Sequence, residues 1–295
     1  MNKIKNIYTN NKRLIARVIA ILVVFSFALG LFTVYDNFRL DVEYIPVSSS
    51  KISGDFNGFK IVHVSDFHSR ASTLVQKQIF QALEDEQPDI IVLTGDLIDS
   101  RSVDISTAIE FAERLTDFTD VYFVCGNHES NYLIADQWGY MDFMEQLRAT
   151  GVKVLTNETE VLFANDGGRI YIHGIDDPYL IKDRVDIKKA TEYMCASLTL
   201  GDGFNILLAH HPEQLDVYSD YGFDVVYSGH AHGGQITLFG LGIYAPDQKK
   251  FPEYTSGKYV MDNTTLILSR GIGYSLAPIR FFCSPHIIVT ELSSK

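Results

Sequence analysis

Apolar positions along the chain fall into one long run and many short ones. The long run, Val18 to Tyr35, carries no charge over 18 residues. As a helix it would span about 27 Å, close to the hydrocarbon thickness of a bilayer. After Phe59 the runs shorten to Lys60-Ile61-Val62-His63-Val64, Asp89 to Leu93 and Val121 to Val124, which read as buried strands. Amphipathic stretches at Leu74 to Glu86 and Ile105 to Leu115 separate them, so the order β-α-β-α-β predicts a sheet layered with helices. Further short runs follow at Val161 to Phe163, Arg169 to His173, Ile206 to Ala209, Val225 to Ser228, Thr265 to Ser269 and Ile287 to Leu292. In this half the helical signal is confined mainly to Ile187 to Leu198. The simplest architecture is α/β, with two packed mixed β-sheets flanked by helices and one transmembrane helix in front.

Charge decides how the long run is read. Lys3, Lys5, Lys12, Arg13 and Arg17 precede it, whereas Asp36, Asp41 and Glu43 follow. The positive-inside tendency then puts the N-terminus in the cytoplasm and everything after Tyr35 outside. A cleaved signal peptide is the competing reading, with Ala28-Leu29-Gly30 as its small-residue site. Against it, the apolar run continues through Leu31, Phe32, Val34 and Tyr35. The division is 1–17 as a cytoplasmic basic N-terminus, 18–35 as a single-pass signal anchor in the cell membrane, 36–57 as a linker and 58–295 as the folded domain.

The whole chain has 295 residues, 46% of them hydrophobic, and a net charge of −12. That balance argues against a nucleic-acid partner, because phosphate binding without an added cation needs clustered Lys and Arg. Phosphate chemistry here would lean on metal ions. Cys125, Cys195 and Cys283 are too few and scattered for a disulfide framework or a thiolate zinc site. They read as buried thiols, with a single disulfide left open.

In open α/β sheets ligands gather beyond the carboxyl ends of strands, and here the strand ends share a chemistry. The first run is followed by Ser65-Asp66-Phe67-His68, the second by Gly95-Asp96-Leu97-Ile98-Asp99 and the third by Gly126-Asn127-His128-Glu129. Ile206 to Ala209 is followed by His210-His211, and Val225 to Ser228 by Gly229-His230-Ala231-His232. Five strand ends thus finish in oxygen and imidazole donors, a set that divalent first-row metals accept, with no soft sulfur in it.

In this order the constellation resembles the calcineurin-like metallophosphoesterases over nearly all of residues 58–295. The tail segments Ser269-Arg270-Gly271-Ile272-Gly273 and Pro278-Ile279-Arg280-Phe281 are similar to a branch of membrane-associated bacterial phosphodiesterases. The resemblance implies a four-layer sandwich and two divalent metal ions, with Mn, Fe, Zn and Co all acceptable. One ion would be held by Asp66, His68 and His232, the other by Asn127, His210 and His230, with Asp96 bridging both. It implies a metal-bridging hydroxide as the attacking group and His128 as the catalytic proton donor to the leaving oxygen. His210 is preferred over His211 because it follows its strand directly, as in the family; His211 is then a rim residue or exposed. Glu129 and Asp99 are expected to orient imidazoles.

The resulting expectation is a membrane-anchored phosphodiesterase acting on a lipid-linked or cell-envelope phosphodiester. A phosphomonoesterase or protein phosphatase on the same metal pair, or a non-catalytic metal-binding envelope protein, are the alternatives. His63 lies on the strand face opposite Asp66 and reads as a packed residue, as does His286, while His173 is open between core and pocket wall. Arg70, Arg270 and Arg280 are each open between phosphate contact and structural pairing. The Tyr and Phe residues after position 218 read as core filling, and the loops 176–185 and 238–255 carry no interpretable motif.

Overall fold

The computed structural model describes residues 2–181, 186–234, 236–238, 241–274 and 280–295; of residues 2–13 and 238 only the backbone is described. Gln235, residues 182–185, Pro278 and Ile279 lie outside this set, as do the side chains of Lys3, Lys5, Lys12 and Arg13. Helix α1 (Asn2–Phe38) leads directly into strands β1 (Asp41–Tyr44) and β2 (Val47–Ser49). The expected alternation follows as β3 (Lys60–Val64), α2 (Thr73–Glu86), β4 (Ile90–Thr94), α3 (Ile105–Thr116) and β5 (Asp120–Val124). Next come α4 (Asn127–Ala135), α5 (Gln137–Ala149), β6 (Lys153–Val154), β7 (Glu158–Phe163), β8 (Arg169–Gly174), α6 (Ile187–Ser197), β9 (Phe204–Leu208), α7 (Leu215–Tyr221) and β10 (Val225–Ser228). Two small hairpins, β11 (Thr237–Leu238) with β12 (Leu241–Gly242) and β13 (Tyr244–Ala245) with β14 (Lys249–Lys250), precede β15 (Gly257–Met261), β16 (Thr264–Leu268) and β17 (His286–Ser294).

Local chemistry accounts for the helices. Ser72 accepts from the Val75 N–H at the start of α2, and Asp104 accepts from the Thr107 N–H at the start of α3. In α3, Ala108, Phe111, Ala112 and Leu115 recur at helical spacing and form its buried stripe. β4 is buried at every position, as a central parallel strand must be.

Two sheets form, one of seven strands in the order β1-β17-β3-β4-β5-β6 with β2 also on β17, and one of six in the order β15-β16-β10-β9-β8-β7. Within them β3, β4 and β5 run parallel, as do β9 and β10, so their carboxyl ends share one edge. Side chains alternate as the pleat demands. Ile61, Val92 and Tyr122 meet Ile172, Ile206 and Tyr227 between the sheets. Val62, Leu93 and Phe123 face α2, α3 and α5, while Leu207, Val226 and Leu266 face α6 and α7. The layers are helix, sheet, sheet, helix, as expected.

Four readings change. The segment 36–57 is not a spacer, because β1 and β2 lie parallel to β17 and extend the larger sheet. The apolar run lies within helix α1, whose segment Leu14–Phe38 is long and apolar enough to cross a membrane, with a mean hydropathy of 2.6 over its 18-residue window. α7 adds a helix whose Leu215, Val217 and Tyr218 are buried. Tyr218, Phe223 and Tyr227 fill the core, but Tyr244, Phe251, Phe281 and Phe282 stay exposed. The three cysteines are free and buried, so the open disulfide is absent.

Candidate metal centre

The rim at the shared strand edge is built from strained turns. Asp66, His68, Asp96, His230 and His232 all adopt positive φ, between 48° and 68°. Such conformations cost side-chain-bearing residues on the order of 1–3 kcal/mol each and persist only where the surroundings enforce them. Enforcement is visible in the backbone: Asp66 N donates to Gly95 O (3.1 Å), His68 N to Asp96 O (2.8 Å) and Gly229 N to His210 O (3.2 Å). Gly95 has φ +90°, and a Cβ there would lie 2.5 Å from Gly126 N and 2.8 Å from His210 Nδ1. A Cβ on Gly229 would overlap Ser65 Oγ and the Asp66 carboxylate. Only glycine lets these loops close on one another.

The turns aim the donors at two adjacent places. Asp66, His68, Asp96 and His232 offer atoms within 4.8 Å of one another, and so do Asp96, His210 and His230. Asp96 belongs to both groups. In the first, His68 Nε2 is 3.6 Å from Asp96 Oδ2 and 3.2 Å from His232 Nε2, which lies 3.4 Å from Asp66 Oδ1. In the second, His210 Nε2 is 3.4 Å from Asp96 Oδ2, 3.2 Å from His230 Nδ1 and 3.2 Å from Asn127 Oδ1. The seven residues singled out in the sequence are therefore brought together at two adjacent places that share Asp96.

This donor set fits a pair of divalent ions. Two imidazole nitrogens each about 2.1 Å from one ion, at roughly 100°, lie about 3.2 Å apart, the spacing found in both imidazole pairs. Burial pushes His68 down to about 3 and, with His68 and Arg280 adding to it, holds His232 well below the ordinary imidazole range. Both rings are therefore neutral, the form that ligates. Burial raises Asp66, and it also works to raise Asp96, but His210, His128 and His68 hold Asp96 well below the usual carboxylate range. Against burial, the Asp96 charge lifts His210 to about 10. The Asp96 side of the cluster thus demands a positive charge, which a divalent cation supplies.

His128 stands beside this cluster at the first turn of α4. Its Nδ1 accepts from the Ser100 N–H (3.0 Å) and lies 3.2 Å from Asp99 Oδ1, while Nε2 lies 4.0 Å from Asp96 Oδ2. A backbone N–H only donates, so the neutral ring carries its proton on Nε2, facing Asp96. Burial lowers His128, but Asp96 and Asp99 outweigh it and hold the ring above its ordinary range. Asp99 also meets Arg70 Nη1 (2.9 Å) and Arg101 Nη2 (2.8 Å), and does orient an imidazole as expected. Glu129 does not. Its buried carboxylate accepts from the backbone N–H groups of Asp96 (2.8 Å), Gly126 (2.8 Å) and Ile98 (3.0 Å), so it clamps two metal-centre turns together. Burial and the Asp96 charge raise it to about 7.

His211 is buried, not exposed. Its Nε2 lies 2.7 Å from Asp177 Oδ2 and its Nδ1 2.8 Å from Glu213 Oε1. Burial would lower it, but the two carboxylates hold it well above the imidazole range, so both nitrogens donate and neither is free to ligate. His210 is left as the donor at this strand end. Asp247, on the turn between β13 and β14, is the residue that the sequence did not single out: its Oδ2 lies 2.9 Å from His230 Nε2, and Tyr179 Oη donates to the same carboxylate (2.6 Å). His211, Glu213, His230 and Asp247 form a further group of close donors, and His68, Asp99 and His128 another.

The remaining candidates are structural. His63 Nε2 pairs with Thr94 Oγ1 (2.7 Å) between the sheets, His173 bonds Thr159 and Asn205, and His286 lies 3.0 Å from Glu43. Arg270 pairs with Asp41. Arg280 is buried, donates to the Gly273 and Arg270 carbonyls, and places Nη2 3.5 Å from His232 Nδ1.

Comparison with known proteins is consistent with this geometry. The sequence model of the calcineurin-like phosphoesterases matches residues 59–234. The metallophosphoesterase YkuE of Bacillus subtilis is 32% identical over 253 residues, spanning 84% of each chain. A transmembrane protein with a metallophosphoesterase domain from Danio rerio is 32% identical over 253 residues, 82% of this chain and 54% of that one. Among solved structures, the Haemophilus influenzae NAD nucleotidase covers 73% of this chain and 45% of its own at 16% identity, with a TM-score of 0.48. With its clustered metal donors, this chain belongs to the calcineurin-like phosphoesterase family and is a metal-dependent phosphoester hydrolase.

Proposed function

We propose that the chain is a membrane-anchored phosphodiesterase with its N-terminus in the cytoplasm and residues 58–295 outside, acting on a lipid-linked or envelope phosphodiester. The observation that carries the catalytic part is the meeting of two donor groups at Asp96 with the Nε2 proton of His128 beside it. Asp66, His68 and His232 would hold one divalent ion and Asn127, His210 and His230 the other, with Asp96 shared. When bound, such a pair supplies Lewis acidity at the phosphoryl oxygens and makes water a stronger nucleophile at neutral pH.

The chain's own residues do the rest. In the charged ring, which Asp96 and Asp99 favour, Nδ1 carries a proton toward Asp99 (3.2 Å) and no longer accepts from Ser100; this imidazolium hands its Nε2 proton to the leaving oxygen and returns to the neutral form. Glu129 keeps the Asp96 turn in register with α4, and Asp247 holds His230 so that Nδ1 faces His210. The diester reading is favoured over the monoester by the arginines. Arg70 and Arg101 meet Asp99, Arg270 meets Asp41, and Arg280 serves backbone carbonyls. The second negative charge of a monoester would find these guanidiniums already engaged.

The purified full chain in detergent, given Mn²⁺, is expected to hydrolyse bis(p-nitrophenyl) phosphate faster than p-nitrophenyl phosphate and to lose both activities in EDTA. A faster monoester rate would select the phosphomonoesterase reading. Metal-independent turnover, or none on either ester, would remove the proposal.

A further inference from the structure

We infer that the loops around the metal centre form a second contact with the lipid surface, so that the site opens at the bilayer into which α1 inserts. The inference rests on the anchored reading of α1 above. Its starting point is the lack of slack between helix and domain. α1 ends at Phe38, and Leu40 already belongs to the domain core. The last turns of the helix are fastened down: Asn37 Nδ2 donates to Arg280 O (2.7 Å) and Asn37 Oδ1 accepts from Arg280 N (2.8 Å). Gln78 bonds both Phe38 O (2.8 Å) and Leu40 N (3.1 Å), and Thr33 and Asp36 are buried. The domain is therefore held against the bilayer with a fixed face toward it.

That face carries the metal centre. Arg280, bonded to the helix end, is the residue whose guanidinium reaches His232. Phe282 packs its ring 5.2 Å from that of Phe32 on α1. From there a backbone ladder leads outward, with Thr237 N on Phe281 O, Ile243 N on Ile236 O and Phe251 N on Ile243 O, each at 2.9 Å. Its far end is the hairpin that supplies Asp247 to His230.

The side chains on this ladder are wrong for water. Phe251 is 76% exposed, Leu241 68% and Phe282 48%. With Ile236, Tyr244 and Phe281 also exposed, they form an apolar margin that reaches the anchor where Phe282 meets Phe32. Lys249 and Lys250, exposed on the same hairpin, suit anionic headgroups in a chain that is otherwise acidic. Aromatic residues beside lysines are the side chains that settle at the interface of a bilayer. A rim so placed favours a phosphoester carried by an amphiphile in the same leaflet.

Bromolipid quenching tests this in the full chain. In a Trp138→Phe background, a single tryptophan is introduced as Phe251→Trp, or as Phe163→Trp on β7, whose partner Arg169 begins β8 at the edge away from the site. Both are reconstituted in phosphatidylcholine–phosphatidylglycerol vesicles with bromine high on the acyl chains. At least twofold stronger quenching at position 251 is expected; equal quenching overturns the inference. Should Phe251→Trp fail to bind metal, Tyr244→Trp on the same hairpin gives the same reading. Turnover of bis(p-nitrophenyl) phosphate by these variants is scored separately. Quenching without turnover leaves the rim standing and removes the catalytic proposal, and turnover without quenching does the reverse.

Discussion

The two donor groups that share Asp96 are built with different rigidity. Around the first, Asp66, His68 and His232 are fully enclosed, all three sit in left-handed turns, and the Arg280 guanidinium backs the His232 ring. Around the second, only His230 of the group's own donors has such a turn. Its other nitrogen leans on Asp247, whose side chain is 27% exposed, on a hairpin whose neighbours are exposed too. Strain in the backbone of the first group is maintained by tertiary packing, so its geometry precedes any ligand. The second depends on a side-chain tether. An ion in the first group should therefore be held more tightly and exchange more slowly, and graded chelation should remove one equivalent before the other.

Asp96 is where the comparison breaks most completely. Asp96→Asn keeps the shape but removes one of the two carboxylate charges of the first group and the one carboxylate charge of the second. It is expected to lose both equivalents by metal analysis and to lower turnover by about a thousandfold or more. Retention of one equivalent would show that the groups are independent. His68→Ala and His230→Ala should each lose one equivalent, the first leaving the more weakly bound ion behind.

His128→Asn comes next. It should reduce turnover by roughly a hundredfold to ten-thousandfold with both metal equivalents intact, since Nε2 stands 4.0 Å from Asp96 Oδ2, the ring packs 4.7 Å from that of His68, and the backbone N–H that donates to Asp96 Oδ1 (2.9 Å) is kept in the variant. A loss of metal along with activity would move His128 from proton donor to support of the Asp96 side.

The rim donors were legible in the sequence because each directly follows an apolar strand, so one-dimensional order maps onto one edge of the sheets. His63 was legible for the same reason, its parity putting it between the sheets. What was missed depends on partners far away in sequence. β1 is a short edge strand, Asp-Val-Glu-Tyr, with no burial alternation of its own, and it forms by pairing with β17 near the opposite terminus. Asp247 follows no strand with a hydrophobic signature and reaches His230 only because β13 and β14 fold over the rim. His211 read as peripheral because its carboxylate partner Asp177 lies in a loop without pattern. Glu129 was assigned to an imidazole because side-chain identity says nothing about which backbone N–H groups a turn leaves unpaired. The exposed aromatics near the C-terminus read as core because composition does not distinguish a packed side chain from one left on the surface.

The smallest effect bears most directly on the tether. Asp247→Asn preserves an acceptor for the His230 Nε2 proton but removes the charge that strengthens that bond, while Asp247→Ala removes both. Outer partners of ligating histidines typically contribute ten- to a hundredfold in metal affinity. The Asn variant should therefore sit near tenfold and the Ala variant near a hundredfold, confined to the more weakly held equivalent. Tyr179→Phe should weaken it less, since Tyr179 meets the His230 ring at second hand, through its bond to Asp247 and its stacking on His211, and the stacking is kept in the variant. Titration of the metal-stripped protein with Mn²⁺ separates the two equivalents. Saturating metal should restore turnover in the Asn variant, because the donors themselves are untouched. If both equivalents weaken together, or if excess metal restores nothing, Asp247 is holding the rim as a whole, and the difference between the two groups does not come from how their histidines are tethered.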